Sequence, residues 1–386
     1  LKILFSALIF FALVFRPGIY APSLSLSLPI FVLVFLYFVL KPWNLIGFLA
    51  KIGWFKIYLV LFILLVSLIY DLSTGALGLM GGRSQFFTTL RFIVYAAAAY
   101  WFINVLIVSY DDFVKVGSVA VIFQILLALG MFMIPDMKIF FYKVLSGYDG
   151  SEKIFREYFF DVRIFGWSEE LFYTAPVFVL LFSLMIAIKS GFAFYIYRLF
   201  SFLFALVNAR ISIVVFILYL SRIKFLMLFS IMMFVGVLSF ILFYDVITSQ
   251  STVAAYILDD LSSGESRTLQ ILFGHIIFPS NVSSWLFGSG VYLYGGVGQV
   301  YSDIGHVIIL NYGGLFYFLS WLLLFFLILK DSFSSLWFSF LIFSIFMLLG
   351  VKGLIFSGNA MTFYMFCMFF LVKKFGYFQI SFQNDK

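Results

Sequence analysis

Residues 52–70 read IGWFKIYLVLFILLVSLIY. After Lys56 the stretch carries no charge. Its length is close to the roughly 20 apolar residues that cross the hydrocarbon core of a bilayer. Inside lipid every backbone N–H and C=O must be bonded within the structure, which leaves helices or closed barrels. A barrel strand alternates apolar and polar side chains. This stretch is continuously apolar, so it reads as a membrane helix.

The pattern repeats along the chain. Apolar runs lie near 3–15, 19–40, 86–109, 114–134, 171–188, 191–209, 211–221, 224–244, 304–329, 333–350 and 354–372. No small-residue cleavage site precedes Arg16-Pro17-Gly18, so 3–15 reads as a membrane helix and not a signal peptide. The expected fold is an all-α, polytopic transmembrane bundle of about 12 spans, or 11 if 191–221 is one long helix. It forms a single membrane domain over 1–386. Composition agrees: 65% of residues are hydrophobic and 11% charged, and mean hydropathy is +1.15. Soluble domains carry about 25% charged residues.

Charge sets the expected orientation. With the N-terminus in the cytoplasm, the short inner loops and tails collect twelve basic residues, among them Lys41, Lys51, Lys56, Lys330, Lys373 and Lys374. The short outer loops collect three: Arg16, Arg83 and Lys352. That asymmetry is the positive-inside pattern, with both termini cytoplasmic. It favours splitting 191–221 at Arg210. The net charge of +7 is scattered at helix ends and does not point to nucleic acid. One cysteine, Cys367, and two histidines rule out a disulfide framework and disfavour a structural zinc site. No metal or cofactor is expected.

Two long segments, about 135–170 and 245–303, fall on the outer side as loops and hold twelve of the seventeen acidic residues. Long loops in compact proteins are usually functional or disordered, and the aromatic residues and glycines here favour order. The candidate chemistry gathers on the outer side. Arg210, in Asn208-Ala209-Arg210-Ile211-Ser212, is either a snorkelling helix-end arginine or an anion ligand in a wet cleft. Arg267, in Ser263-Gly264-Glu265-Ser266-Arg267, either pairs with Glu265 or Asp260 or grips phosphate with its planar fork of donors. His306 follows Tyr301-Ser302-Asp303-Ile304-Gly305. With Ser302 or Asp303 as N-cap it falls in the first helical turn, where anions bind well. The plainer reading is a histidine bonded to a carbonyl. Gly288 and Gly290, in Leu286-Phe287-Gly288-Ser289-Gly290, allow close backbone approach. Arg163 either pairs with Asp161 or contacts substrate.

In order and spacing these elements resemble the O-antigen polymerase family (Wzy type). They comprise a large outer loop after about five helices, Asn-Ala-Arg-Ile-Ser at 208–212, Ser-Gly-x-x-Arg at 263–267, Leu-Phe-Gly-Ser-Gly at 286–290 and Ser302-Asp303-Ile304-Gly305. The last leads into a helix with Asn311-Tyr312-Gly313-Gly314. The informative portion is roughly 205–330; the N-terminal half matches in layout only. Ala209 stands where a small hydroxyl residue often precedes the arginine. His306-Val307 lacks the asparagine that often follows the histidine of the related ligases, which favours polymerase over ligase.

The resemblance implies a GT-C-like, metal-independent membrane glycosyltransferase in the bacterial inner membrane. Its substrate would be a polyprenyl-pyrophosphate-linked oligosaccharide, its surroundings membrane lipids, and its partner a chain-length regulator protein. Arg210, Arg267, His306 and Asp303 are the implied catalytic set. Arg163, Glu265, Gly288, Gly290 and Tyr301 are the implied substrate contacts. Competing classes are a ligase, a lipid-linked oligosaccharide flippase and, more remotely, an intramembrane protease using Ser289 with His306.

Overall fold

The structure, a computed structural model, describes residues 1–19, 21–76, 84–146, 166–168, 174–185, 192–209, 212–213, 215–216, 276–291, 293, 302, 304–350 and 356–376. These residues are helical apart from loops, turns and one short hairpin. The helices are α1 (Lys2–Phe15), α2 (Ser27–Leu40), α3 (Pro42–Ile52), α4 (Trp54–Ser73), α5 (Gln85–Val105), α6 (Tyr110–Met133) and α7 (Pro135–Ser146). Then follow α8 (Thr174–Met185), α9 (Phe192–Asn208), α10 (Val282–Phe287), α11 (Gly305–Ser332), α12 (Leu336–Gly350) and α13 (Ala360–Phe375). Four of them, α4, α5, α6 and α11, are long and apolar enough to cross a membrane. A fifth span results if α2 and α3, bent by 102° at their junction, count as one.

Several boundaries differ from the sequence reading. The run at 19–40 opens as an antiparallel hairpin of β1 (Gly18–Ile19) and β2 (Ala21–Ser25) before α2 begins. Residues 42–52, read as part of an inner loop, form α3, because Pro42 is pre-set for the first helical turn and Gly53 closes the last. The segment read as the loop 135–170 starts with α7, and the loop 245–303 contains α10, capped by Asn281. Near the expected division at Arg210, α9 ends at Asn208 and the Ser212 hydroxyl donates back to the Ala205 carbonyl; Arg210 itself lies outside the described residues. The expected span 224–244 lies outside the described residues.

Within the expected single membrane domain, the helices gather into two compact units. One comprises residues 15–26 and 118–271. In it the Gln124 side chain of α6 accepts from the Trp167 amide, and α8 packs on α9. The other comprises residues 1–14, 27–117 and 272–386, and it carries the candidate site.

Its core is aromatic. Phe92 on α5 packs edge-on against Trp321 of α11 and Phe366 of α13, with ring centroids 5.1 Å apart in both pairs. Phe325, Phe346 and Phe356 complete the cluster. Ala96, Ala98 and Ala99 are buried on α5, and small side chains let membrane helices approach closely. At one end of this unit α4 starts while α5, α11 and α13 finish. Lys374 of α13 donates to the carbonyls of Ile103, Asn104 and Ile107 at 2.8, 3.3 and 2.6 Å. It thereby caps the C-terminus of α5, where carbonyls lack helical partners and a positive charge is favoured.

Lys374→Met should therefore lower the thermal midpoint in detergent, by the about 1–3 kcal/mol of leaving buried acceptors unpaired. Lys330→Met, at an exposed lysine of α11, should leave the midpoint where it is.

Candidate functional site

The site grows from a defect in α11. Gly314 has φ +71° and ψ −172° inside the helix, a conformation open essentially to glycine alone. The break divides α11 into two half-helices. Its size shows in the contact between His306 and Phe318, whose ring centroids are 5.6 Å apart. A straight helix would hold residues twelve apart at about 18 Å.

A broken helix inside a bilayer leaves backbone groups without partners. Here the segment after α10 supplies them. The amides of Ser289 and Gly290 donate to the carbonyls of Asn311 and Tyr312 at 2.8 and 2.9 Å, and the Ser289 hydroxyl adds a bond of 3.0 Å to Asn311. The Tyr70 hydroxyl donates to the Phe287 carbonyl. Gly288 and Gly314 are pressed against one another: a side chain on Gly288 would meet the Tyr312–Gly314 backbone, and one on Gly314 the backbone of Leu286 and Gly288. Asn311 ties the upstream chain to the same point through the Ile277 carbonyl, at 2.7 Å. The stretches 286–290 and 311–314, far apart in the sequence, thus form one strap-and-break junction.

Beneath the junction lies a buried polar network on α4, α5 and α11. Asp71 is fully buried. Its carboxylate accepts from the Ser84 hydroxyl, from the Phe86 amide at 2.9 Å and from the Tyr312 hydroxyl at 2.6 Å. One turn earlier on α4, the Ser67 hydroxyl contacts the Tyr317 hydroxyl at 2.7 Å and the Thr89 hydroxyl at 3.4 Å. Among the described residues, neither the nitrogen nor the oxygen of the buried Gln85 carboxamide has a partner. Gln85 lies one turn from Thr89, on the same α5 stripe. No salt bridge involving Asp71 occurs among the described residues. A carboxylate inside membrane helices is expensive and is a functional candidate by default.

Of the residues expected from the sequence, Gly288 and Gly290 sit in the strap, both with positive φ. His306 lies in the first turn of α11, as expected, but the helix is capped at Ile304 with no side-chain bond. Ser302 instead accepts the Ile304 amide through its hydroxyl, so it closes the preceding turn and does not cap the helix. The His306 Nε2 bonds the Met347 carbonyl at 2.7 Å, and its ring packs on Phe318 and Phe356. A carbonyl only accepts, so Nε2 carries hydrogen. Nδ1 is buried and has no partner among the described residues. Gly350 leaves room for the ring: any side chain there would strike the imidazole. Arg163, Arg210, Glu265, Arg267, Tyr301 and Asp303 lie outside the described residues.

Asp71 and Gln85 do not stand out in the sequence, and Tyr312 does so only as part of the element at 311–314. Asp71 falls just past the apolar run 52–70 and looks like a loop residue. The available signal was the helix itself, which continues through Asp71 to Ser73.

Replacing Gly314 separates backbone strain from crowding. Gly376→Ala, at φ +83° with open space around it, should cost only the strain of about 1–3 kcal/mol. Gly314→Ala should cost clearly more, read as a larger drop in thermal midpoint, because it also pushes the strap off the break. Equal costs would mean that the strap yields freely. Comparison of the chain with family models, with curated proteins and with solved structures finds no match in any of the three.

Proposed function

We propose that this chain is a membrane glycosyltransferase of the O-antigen polymerase type. It moves a growing glycan from polyprenyl pyrophosphate to an incoming lipid-linked repeat unit on the outer face of the bacterial inner membrane. The observation that carries the reading is the strap-and-break junction, which brings together two of the sequence elements behind the family resemblance. About twelve spans with both termini cytoplasmic belong to the same proposal.

In this reading a sugar hydroxyl of the acceptor attacks the anomeric carbon of the donor. The bond from that carbon to the pyrophosphate oxygen breaks, and polyprenyl pyrophosphate leaves with the electron pair. Arg210 and Arg267 stabilise the charge that develops on the leaving group, where prepositioned donors act most strongly. The hydroxyl proton goes to a base. With Nε2 donating to Met347, the Nδ1 of His306 is the ring atom that can accept it, and Asp303 is the alternative. Arg163, Glu265 and Tyr301 hold the glycan, while the Gly288 and Gly290 backbone lets it approach closely.

A second reading, a lipid-linked oligosaccharide flippase, is favoured by Asp71, whose buried carboxylate resembles the intramembrane acids of transporters.

The test uses purified protein in vesicles with a synthetic polyprenyl-pyrophosphate repeat unit. Wild type should produce a ladder of lengthened lipid-linked products. Arg210→Ala, Arg267→Ala and His306→Ala should each reduce it by about a hundredfold or more, with thermal midpoints unchanged for the two arginine variants. Movement of authentic substrate between leaflets without a ladder, abolished in Asp71→Asn, would replace the polymerase with the flippase.

A further inference from the structure

The end of the larger helical unit opposite the junction carries an arrangement that the glycan chemistry does not use. Two ammonium groups converge on one residue: Lys51 donates to the Asn104 side-chain Oδ1 at 3.1 Å, and Lys374 donates to the Asn104 backbone carbonyl at 3.3 Å. Two more share one carboxylate oxygen. Lys56 lies 2.7 Å and Lys373 3.6 Å from the Asp331 Oδ2. Both also stand over the Phe369 ring, at 5.6 and 5.4 Å. Lys56 and Lys373 thus share one carboxylate, and among the described residues neither Lys51 nor Lys374 makes an ion pair. Like charges held this close repel one another unless an anion joins them.

Helix α3 crosses this end. It begins where α2 stops, turns through 102°, and finishes at Gly53, where α4 starts. Its inner face packs on the ends of α5 and α13: Phe48 is buried, with its ring 5.4 Å from Tyr100 and 5.9 Å from Phe370. Its outer face is apolar and uncovered. Trp43 is 80% exposed, and Leu45 and Ile46 are also exposed. Trp54, 71% exposed, stands at the start of α4. A short helix with an apolar outer face, joined to the ends of spanning helices and flanked by tryptophan and lysine, suits the boundary between headgroups and acyl chains.

We propose that α3 lies in the membrane interface, and that Lys51, with the charges of Lys374, Lys56 and Lys373 around it, binds the phosphate of an anionic phospholipid headgroup. The acyl chains would run along the exposed apolar face of α2 and α3. The lysines supply the positive charge, Trp43 and Trp54 fix the depth, and Asn104 holds the Lys51 ammonium beside that of Lys374. The proposal rests on the helix-end geometry alone and stands or falls separately from the polymerase reading.

The test is native mass spectrometry of the full chain, delipidated in detergent and titrated with phosphatidylglycerol or phosphatidylcholine. Wild type should retain phosphatidylglycerol preferentially. Lys51→Gln, which keeps a donor for Asn104, should weaken that retention roughly fivefold, the effect of one lysine at a membrane surface. Lys51→Gln combined with Lys374→Gln should remove the preference. Because Lys374 also caps α5, the single Lys51 variant decides the matter if the double variant does not fold. Equal retention of the two lipids by wild type, or an unchanged preference in Lys51→Gln, overturns the proposal.

Discussion

The carbonyls of Asn311 and Tyr312 must be bonded, and much of the larger unit follows from how that is done. In water a helix broken at Gly314 would turn its free groups toward solvent. Between membrane helices there is no such partner. The strap at 288–290 supplies amide donors, and it reaches the break only because Gly288, Gly290 and Gly314 have no side chains. The strap is in turn held by Tyr70 on α4, and Tyr312, beside the break, by Asp71 on the same helix. One backbone defect therefore couples α4, α10 and α11.

Legibility in the sequence followed the physics of each feature. The spanning helices were readable because continuous apolarity over a bilayer thickness has no other stable outcome. Helix α3 was not, because it obeys a different rule: it is short, starts at Pro42, and buries Phe48 against aromatic rings far away in the chain. Its pattern looked like a loop carrying lysines. The lysines were read correctly as helix-end residues, yet their convergence on Asn104 and Asp331 depends on α13, more than two hundred residues later.

The site was legible in part. Gly288, Gly290 and His306 drew notice by residue type, and the structure gives each a local reason. The reason for His306 is a bond to a carbonyl on a neighbouring helix, with Gly350 clearing space for the ring. Asp71 escaped because a carboxylate at the end of an apolar run usually marks the water boundary. Only the continuation of α4, and the donors from Ser84, Phe86 and Tyr312, place it inside the protein.

The Lys374 cap has a consequence for how the chain is made. Helix α5 leaves the ribosome long before α13 exists, and domains generally begin to form N-terminal part first. Until α13 arrives, the carbonyls of Ile103, Asn104 and Ile107 lack their lysine donor, Phe92 lacks Phe366, and Tyr100 lacks Phe370. Helix α5 can pack on α2, α3 and α4 before then, but its face toward α13 stays uncovered. Helix α13 is made long after α5, so a chain truncated before α13 loses part of the packing of α5 as well as its own tail.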